Sequence, residues 1–405
     1  IVATNSSGTT HGSDTTFTTL SLTGPAIVTT NPATNVLNSS ATLNGTVDPH
    51  GLSTSVQFQY GTTTSYGSTT ASQTKTGNTY QNVSANITGL NASTTYHFRI
   101  VATNSAGTTH GGDRTFTTAA ACSWVNRAPV PYNARGLFAV SDGTYVYCGG
   151  GYDGTALHNE LLRYNPATNT WTNLAPSPDQ HFLSEAVFNS GKIYNMGGFV
   201  SSGLPTNVTR IYNIATNTWT TGAPMPAALG DQATVLWNGK IYVAGGYNGS
   251  TLVNTLYAYN IAANTWSTLA PLPQALALPG FGAIDGKLYI ASGSNVTGEL
   301  NTLYIYDIAS NAWATGANVP TAVNGPGSTV FCGKLYLYGG GYPTVRNITQ
   351  IYDPVSNSWS SGPHLNVARR WFYGSAVDNT AIVAPGGTTT SSVNTNEQLA
   401  GCQCP

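Results

Sequence analysis

The stretch Leu162-Arg163-Tyr164-Asn165-Pro166-Ala167-Thr168-Asn169-Thr170-Trp171 decides the fold, because it recurs together with the glycine pair Gly149-Gly150 that precedes it. The pairs follow at steps of 47 or 48 residues, beginning at Gly149, Gly197, Gly245, Gly339 and Gly386, with Ser292-Gly293 as a degraded copy. Tryptophans recur at steps of 46 to 48 residues, at Trp124, Trp171, Trp219, Trp266, Trp313 and Trp359. A tyrosine stands seven residues before each of the last five. A period near 50 residues with this content is typical of a β-propeller.

Each repeat contains four short runs of strand-forming residues. In the third copy these runs are Ala233–Trp237, Lys240–Ala244, Thr255–Tyr259 and Thr265–Thr268. The dipeptide Asn238-Gly239 between the first two predicts a tight hairpin. Since one four-stranded sheet cannot bury both of its faces, we expect the sheets to stack in a ring.

The double glycine followed by the spaced tyrosine and tryptophan resembles the kelch repeat over residues 122–405, although Ala291-Ser292-Gly293 departs from it. The resemblance implies an all-β propeller. A further tryptophan after Trp359 would fall near position 406, whereas Trp124 is an extra copy at the front. We therefore predict a six-bladed ring closed by strand exchange, in which residues 122–125 complete the sixth blade beside residues 394–400.

This closure brings Cys122 near Cys402 and Cys404 and predicts a disulfide with one of them. In the chain-entropy model a bond that closes so long a loop contributes about 4–5 kcal/mol. Cys148 and Cys332 belong to the first and fifth blades, which are not neighbours. We expect both to be small buried residues without a disulfide.

Residues 1–19 repeat almost unchanged at residues 100–118, with three differences and an offset of 99. Alternating strands fill residues 24–118, and Leu90 stands six residues before Tyr96. This pattern resembles the tyrosine-corner region of a fibronectin type III sandwich. We therefore predict a type III domain over residues 24–118 and a short linker over residues 119–121.

The first 19 residues correspond to the last two strands of a preceding type III copy. A hairpin alone is only marginally stable in water. Two explanations stay open: the rest of a preceding domain has been lost, or the hairpin completes a fold in a neighbouring subunit by strand donation.

Only 7% of the residues are charged, and the net charge is −1. This balance argues against a nucleic-acid-binding protein, and no apolar run is long enough for a membrane span. A neutral surface rich in Thr, Ser, Asn and Gly indicates an extracellular or cell-surface protein. Ten sequons are candidate glycosylation sites, although an Asn- and Thr-rich chain also produces sequons by composition: Asn5, Asn38, Asn44, Asn82, Asn86, Asn91, Asn207, Asn248, Asn295 and Asn347.

The few charges of the propeller are concentrated in its loops and first strands. We expect some of them to form a shallow arginine–aromatic pocket suited to a carboxylate or a sugar ring. The alternative is a set of rim residues in which arginines stack on aromatic rings for stability. The candidate ligand-binding residues are Arg135, His181, Glu185, Asp231, Arg346, Arg369, Arg370, Trp371 and Tyr373.

The alternative function is a carbohydrate-binding module, or a kelch-type enzyme of one of two families, that uses the arginine–aromatic residues of the propeller. Galactose oxidase-like chemistry needs a copper site with histidines and tyrosines, but the predicted propeller has only His158, His181 and His364. A sialic acid mutarotase-like site could use Glu185, Arg135 and Arg369, but no local motif supports it. We expect no cofactor, no metal and no catalytic residues. The predicted function is a non-catalytic structural or adhesive protein whose propeller binds a surface glycan or protein, or assembles into a homo-oligomer or extracellular fibre.

Overall fold

The structure is a computed structural model that describes residues 1–18, 23–378, 380–402 and 404. Strands, turns and loops account for all of these residues, and none of them forms a helix. The described part of the chain therefore offers no helix that could cross a membrane. The chain divides into two units, Ile1–Ala120 and Ala121–Pro405. The predicted domain bounds at positions 19 and 405 lie outside the described residues.

The first unit is built of short antiparallel strands. They are β1 (Val2–Asn5), β2 (Gly8–His11), β3 (Ile27–Thr34), β4 (Ser40–Asp48), β5 (Thr54–Gly61), β6 (Ser68–Thr69), β7 (Gln73–Lys75), β8 (Gln81–Thr88), β9 (Thr95–Asn104), β10 (Gly107–His110) and β11 (Arg114–Thr117). One sheet has the order β3-β4-β8, and a second has the order β10-β9-β5-β6, with β11 paired to β9 and β7 to β5.

The two sheets share one core, because alternate side chains of their strands are apolar. Leu43, Phe58 and Phe98 are fully buried in it. The hydroxyl of Tyr96 accepts a hydrogen bond of 3.0 Å from the backbone N–H of Asn91, close to the predicted tyrosine corner. The assignment of this unit to the type III family stays a prediction.

Strands β1 and β2 form a separate hairpin, in which every residue is exposed. Phe17, which follows the hairpin, is 88% exposed. Phe116 is its equivalent 99 residues later, and it is only 8% exposed and stacks on Tyr96 at 5.6 Å. The same phenylalanine is thus buried in one copy and uncovered in the other.

The described residues of the second unit form six four-stranded antiparallel sheets. Their strands are β12 (Ser123–Asn126); β13 (Phe138–Ser141), β14 (Val146–Gly149), β15 (Leu161–Asn165) and β16 (Thr170–Leu174); β17 (Glu185–Asn189), β18 (Lys192–Met196), β19 (Thr209–Asn213) and β20 (Thr218–Thr221); β21 (Ala233–Trp237), β22 (Lys240–Ala244), β23 (Leu256–Asn260) and β24 (Thr265–Thr268); β25 (Gly280–Ile284), β26 (Lys287–Ala291), β29 (Leu303–Asp307) and β30 (Ala312–Thr315); β31 (Gly327–Phe331), β32 (Lys334–Tyr338), β33 (Thr349–Asp353) and β34 (Ser358–Gly362); and β35 (Ser375–Val377), β36 (Ala381–Pro385) and β37 (Asn396–Ala400). A small hairpin, β27 (Ser294–Asn295) with β28 (Gly298–Glu299), lies outside them.

The first strands of successive sheets lie side by side, and β35 lies beside β13, so the sheets form a closed ring. Strand β12 pairs with β37, with Trp124 opposite Leu399. The first segment of the unit therefore completes the sheet that its last segment begins. Asn238 and Gly239 both have positive φ, 45° and 71°, as the hairpin turn between β21 and β22 requires.

Two disulfides lie at this closure. One joins Cys122 to Cys402. The second joins Cys332 to Cys404, so the prediction that Cys332 has no disulfide was wrong. Cys332 occupies the turn between β31 and β32, and this sheet is the direct neighbour of the sheet that contains β37. Only a pair between Cys332 and Cys148, whose sheets are not neighbours, was considered from the sequence. Cys148 is in fact free and buried.

Candidate functional site

Six backbone hydrogen bonds form a closed circle where the first strands begin. Each N–H donates to a carbonyl oxygen of the preceding sheet, at distances from 2.7 to 3.3 Å, and the N–H of Gly136 completes the circle by donating to Trp371. All six residues have a φ between 51° and 63°: Gly136, Leu183, Asp231, Leu278, Gly325 and Trp371. The circle therefore holds these six residues at one level around the axis of the ring of sheets, and four of them carry a side chain there.

The glycine pairs lie beside this circle. The N–H of Gly246 donates to the carbonyl oxygen of Leu276 in the next sheet at 2.8 Å, and a Cβ on Gly245 would lie only 2.7 Å from the same oxygen. The equivalent pair in the first repeat is Gly150-Gly151, whereas Gly149 ends β14. The pair begins one residue later than the sequence suggested because three glycines stand in a row.

A cluster of three arginines and aromatic rings lies next to the circle, and we call it the arginine–aromatic face. The guanidinium of Arg370 lies 4.3 Å from the ring centre of Trp371 and 4.6 Å from that of Tyr342. Arg135 lies 5.3 Å from Trp371 and 5.0 Å from Tyr152. The side chain of Arg346 packs beside Gly341, whose carbonyl oxygen accepts a bond from Arg370.

These arginines have unused hydrogen-bonding capacity. The Nε atoms of Arg135, Arg346 and Arg370 are buried, and within the described chain none of them has a hydrogen-bond partner. No ion pair between described residues involves these three side chains. Burial lowers the pKa of Arg370, and the nearby Arg135 lowers it further, while Tyr342 and Glu299 act in the opposite direction. The face therefore concentrates positive charge that the described residues leave largely uncompensated.

A row of aromatic side chains continues from Tyr152 and was not predicted from the sequence. Tyr152 contacts Phe182 at 5.8 Å, Phe182 contacts Phe199 at 5.4 Å, and Phe199 contacts Tyr247 at 6.3 Å. Three of these residues directly follow a glycine pair. Their shared position after the glycine pairs is visible in the sequence, and it could have been used to predict the row.

Glu185 and Tyr373 lie in a different place, inside the ring of first strands, and Asp231, which belongs to the circle, lies near enough to affect Glu185. Glu185 is only 3% exposed and interacts with the hydroxyl of Tyr373. Burial raises the pKa of Glu185, and the charge of Asp231 raises it further. Burial raises the pKa of Asp231 to about 7, since its Oδ1 atom is buried and has no described partner although the residue is partly exposed. The sequence predicted these three in one pocket with the arginines, whereas Glu185 and Tyr373 line the space inside the ring of first strands.

Arg369 and His181 are also wrongly predicted as surface ligands. Arg369 is fully buried, forms an ion pair with Glu397 at 3.1 Å, and donates to the carbonyl oxygen of Ala384. His181 is fully buried between sheets, and its pKa is lowered to about 3, mainly by burial and then by Arg210. Neither side chain can reach a ligand on the face. Arg210, which is also buried, forms an ion pair with Asp179, whose side chain is 36% exposed.

The ten sequons differ in how far their side chains are committed to the fold. The amide of Asn44 donates to the carbonyl oxygen of Pro32 at 3.0 Å. Asn207 and Asn347 donate to carbonyl oxygens of the next connection, at 3.3 and 3.1 Å. A glycan would replace one of the two N–H hydrogens of each of these amides and so compete with those bonds, which makes the remaining seven sequons the better candidates.

Within the described residues, no three His, Cys, Asp or Glu side chains are grouped as a metal site. His158 lies between Asp153 and Glu160, at 3.2 and 3.1 Å, and stacks on Tyr132. The Cys148 thiol is buried, and burial raises its pKa.

Comparisons with known proteins agree with this arrangement of sheets. The family model for the KLHDC2/KLHL20/DRC7 kelch-repeats domain matches residues 136–278 and 185–387, which together span more than half of the chain. The chain belongs to the kelch-repeat family. A solved structure entitled "Structure of YjhT" is similar to this kelch protein with a TM-score of 0.60 and 18% sequence identity. The match covers 67% of this chain and 95% of that one, and it shows a shared propeller fold. No curated protein matches the sequence.

Proposed function

We propose that this kelch protein is a non-catalytic recognition and adhesion protein of the cell surface or extracellular space. A fibronectin type III spacer presents a six-bladed propeller, and the arginine–aromatic face binds a glycan that carries a carboxylate. The six sheets and their closure by β12 and β37 support the number of blades. The low charge and the two disulfides support an oxidising, extracellular location.

The position of Trp371 close to two guanidinium groups is the observation that carries this proposal. Arg135 and Arg370 both lie within 5.3 Å of its ring centre, and neither forms an ion pair with a described residue. The indole Nε1–H donates to the side-chain oxygen of Asn324 at 3.3 Å, which fixes the orientation of the ring.

This geometry suits an acidic sugar for two reasons. A guanidinium offers parallel N–H donors that match the two oxygens of a carboxylate, and such charge-assisted bonds are stronger than neutral ones. Aromatic side chains supply the flat apolar area on which a ring can pack, as in most small-ligand sites. Stacking alone would also stabilise exposed arginines, so the binding experiment has to separate recognition from stability.

The experiment measures binding of galacturonic acid and N-acetylneuraminic acid by calorimetry, with galactose as the neutral analogue. We expect only the acidic sugars to bind, and Arg370→Ala to weaken binding by roughly tenfold or more, the usual effect of losing a charge-assisted hydrogen bond. Trp371→Gly is the companion variant, because φ is 55° at this position and glycine occupies the equivalent positions 136 and 325.

Arg163→Ala is the matched control, since Arg163 also stacks on an aromatic ring, Tyr145 at 4.6 Å, but lies outside the face. It should bind like the unaltered protein. Equal binding of galactose and galacturonic acid would contradict the proposal. Conversion of the bound sugar, followed by NMR, would instead support a kelch-type enzyme.

A fibre subunit is the second candidate, and the exposed hairpin favours it. Phe17 is uncovered although the same sequence is buried at Phe116. In this proposal residues 1–18 complete a type III-like fold in a second copy of the chain. Electron microscopy of the chain with and without these residues tests it. Filaments that form equally well without them would rule the mechanism out.

A further inference from the structure

We infer that the cavity inside the ring of first strands is a second binding site, separate from the arginine–aromatic face, for a small hydroxylated amine in its protonated form. An amino sugar is the ligand class. The juxtaposition that carries this inference is that of Glu185 with Thr234. They lie on two neighbouring first strands in the wall of one cavity, and the described residues of that wall include no cationic side chain.

The cavity lies on the axis and has a volume of about 320 Å³. All six first-strand regions contribute to its wall. The hydroxyl-bearing side chains in the wall are Ser141, Thr234, Ser328, Thr329, Tyr373 and Ser375. This volume exceeds that of one water molecule, which occupies about 30 Å³ in the liquid, by roughly tenfold.

The hydroxyl of Tyr373 interacts with Glu185, yet two buried oxygen atoms in the wall have no hydrogen-bond partner. Glu185 is 3% exposed and its Oε1 atom has no hydrogen-bond partner, and Thr234 is 2% exposed with an unpartnered Oγ1 atom. Lysine, arginine and histidine are missing from the described residues that line the cavity. Buried polar atoms in proteins are nearly always paired, so two such atoms facing one cavity indicate a missing donor.

A second carboxyl lies nearby and favours a cationic donor over a neutral one. Asp231 is not part of the cavity wall, but it lies close enough for its charge to raise the pKa of Glu185. Its Oδ1 atom is buried and has no partner in the described chain. An ammonium group carries three N–H donors and a positive charge, so one group can supply both the missing hydrogen bonds and the missing counter-charge.

Aromatic rings complete the match. Phe281 and Tyr373 both line the cavity, with ring centres 6.5 Å apart. A cation is attracted to such ring faces, and the hydroxyls in the wall can bond those of a sugar. A bare metal ion would instead need about six oxygen ligands at short range, and the cavity is larger than such a shell requires.

The test compares glucosamine with glucose and N-acetylglucosamine, which have nearly the same shape but no ammonium group, by calorimetry on the full chain. We expect glucosamine to bind at millimolar concentration and the two neutral sugars to bind at least roughly tenfold more weakly. Glu185→Gln should abolish binding, and Thr234→Val should weaken it.

Asp231→Asn is the second variant and should also weaken binding; asparagine tolerates the φ of 60° at this position. Because Gln and Asn remove buried, unpaired carboxyls, both variants should melt at the same temperature as the unaltered protein or higher, which separates lost binding from lost folding. Arg370→Ala, on the arginine–aromatic face, should leave glucosamine binding unchanged.

Three results would overturn the inference. They are equal binding of the three sugars, no binding of glucosamine at millimolar concentration, and full glucosamine binding by Glu185→Gln. If Ca²⁺ raises the melting temperature in a Glu185-dependent way while glucosamine does not, the cavity takes a metal ion and the amine assignment is wrong.

Discussion

The indole Nε1–H of Trp171 donates a hydrogen bond of 2.9 Å to the carbonyl oxygen of Ala128, which follows the outer strand of the preceding sheet. The N–H of the same alanine donates to the side chain of Asn169 at 2.8 Å, and Asn169 also accepts from the hydroxyl of Tyr164. Side chains of one sheet thus bond both the N–H and the carbonyl oxygen of a single alanine of the neighbouring sheet. This arrangement recurs in four more sheets, at Trp219, Trp266, Trp313 and Trp359.

The sixth sheet departs from this arrangement. Trp124 donates to the carbonyl oxygen of Pro363 at 3.1 Å, but proline has no N–H for an asparagine to accept. Cys122 stands in the asparagine position, two residues before the tryptophan, and forms a disulfide with Cys402. A covalent bond thus replaces the asparagine bridge at the closure.

Asn264→Gly tests the bridge in the third repeat. Asn264 has a φ of 53°, which glycine adopts freely, so the variant removes the two hydrogen bonds without straining the backbone. We expect the free energy of unfolding, measured with urea, to fall by about 1–3 kcal/mol. Thr265→Ala, an exposed neighbour on the same strand, should have little effect. Equal stability of the two variants would show that the bridge does not contribute.

Cysteine variants test the closure. Cys122→Ser should lower the melting temperature under oxidising conditions, and Cys402→Ser should lower it equally because both remove the same bond. A loss of about 4–5 kcal/mol is the upper range for a disulfide that closes so long a loop. Adding Cys332→Ser should lower the melting temperature further, since it removes the second bond. An unchanged melting temperature in Cys122→Ser would refute the role of the disulfide.

Replacing Glu397 tests the buried ion pair with Arg369. Glu397 is fully buried and also accepts the backbone N–H of Val367 at 2.9 Å. Glu397→Gln leaves Arg369 buried without a counter-charge, and we expect a loss of about 3–5 kcal/mol in the free energy of unfolding. Arg370→Ala, at a partly exposed arginine without an ion pair, should cost far less. Similar losses of stability in the two variants would contradict the conclusion that Arg369, unlike Arg370, is held in a buried ion pair.

Asp231 predicts a pH dependence of stability. Its pKa is raised by burial to about 7, whereas an unfolded aspartate has a pKa near 3.9. The folded state therefore binds the proton more tightly, and this contribution to stability is present below about pH 4 and is lost as the pH rises through 7. Asp231→Asn should be more stable than the unaltered protein at pH 8, and the difference should shrink toward pH 4. A constant difference across this range would contradict the assignment.

The candidate site could be predicted only in part. The arginines and Trp371 were found because charge is rare in this chain and aromatic residues stand next to it. The separation of Glu185 and Tyr373 from the face was not predictable, because it depends on how six first strands from different repeats close around the axis and not on the local sequence. The burial of Arg369 depends on its ion pair with Glu397. Glu397 lies on β37, and nothing in the sequence around Arg369 indicates that the two residues meet.

The sequence by itself determined the kelch propeller, since the glycine pairs and the spaced Tyr and Trp residues repeat a local pattern that each sheet needs in order to stack on the next. It also predicted that Trp124 joins the last sheet, because Trp124 stands one repeat step before Trp171 and ahead of the first glycine pair. The disulfide of Cys332, the circle of six backbone hydrogen bonds and the partners of the buried carboxyls were decided only by the tertiary structure. These features join residues from different repeats, and their distances depend on the closed ring rather than on any stretch of sequence.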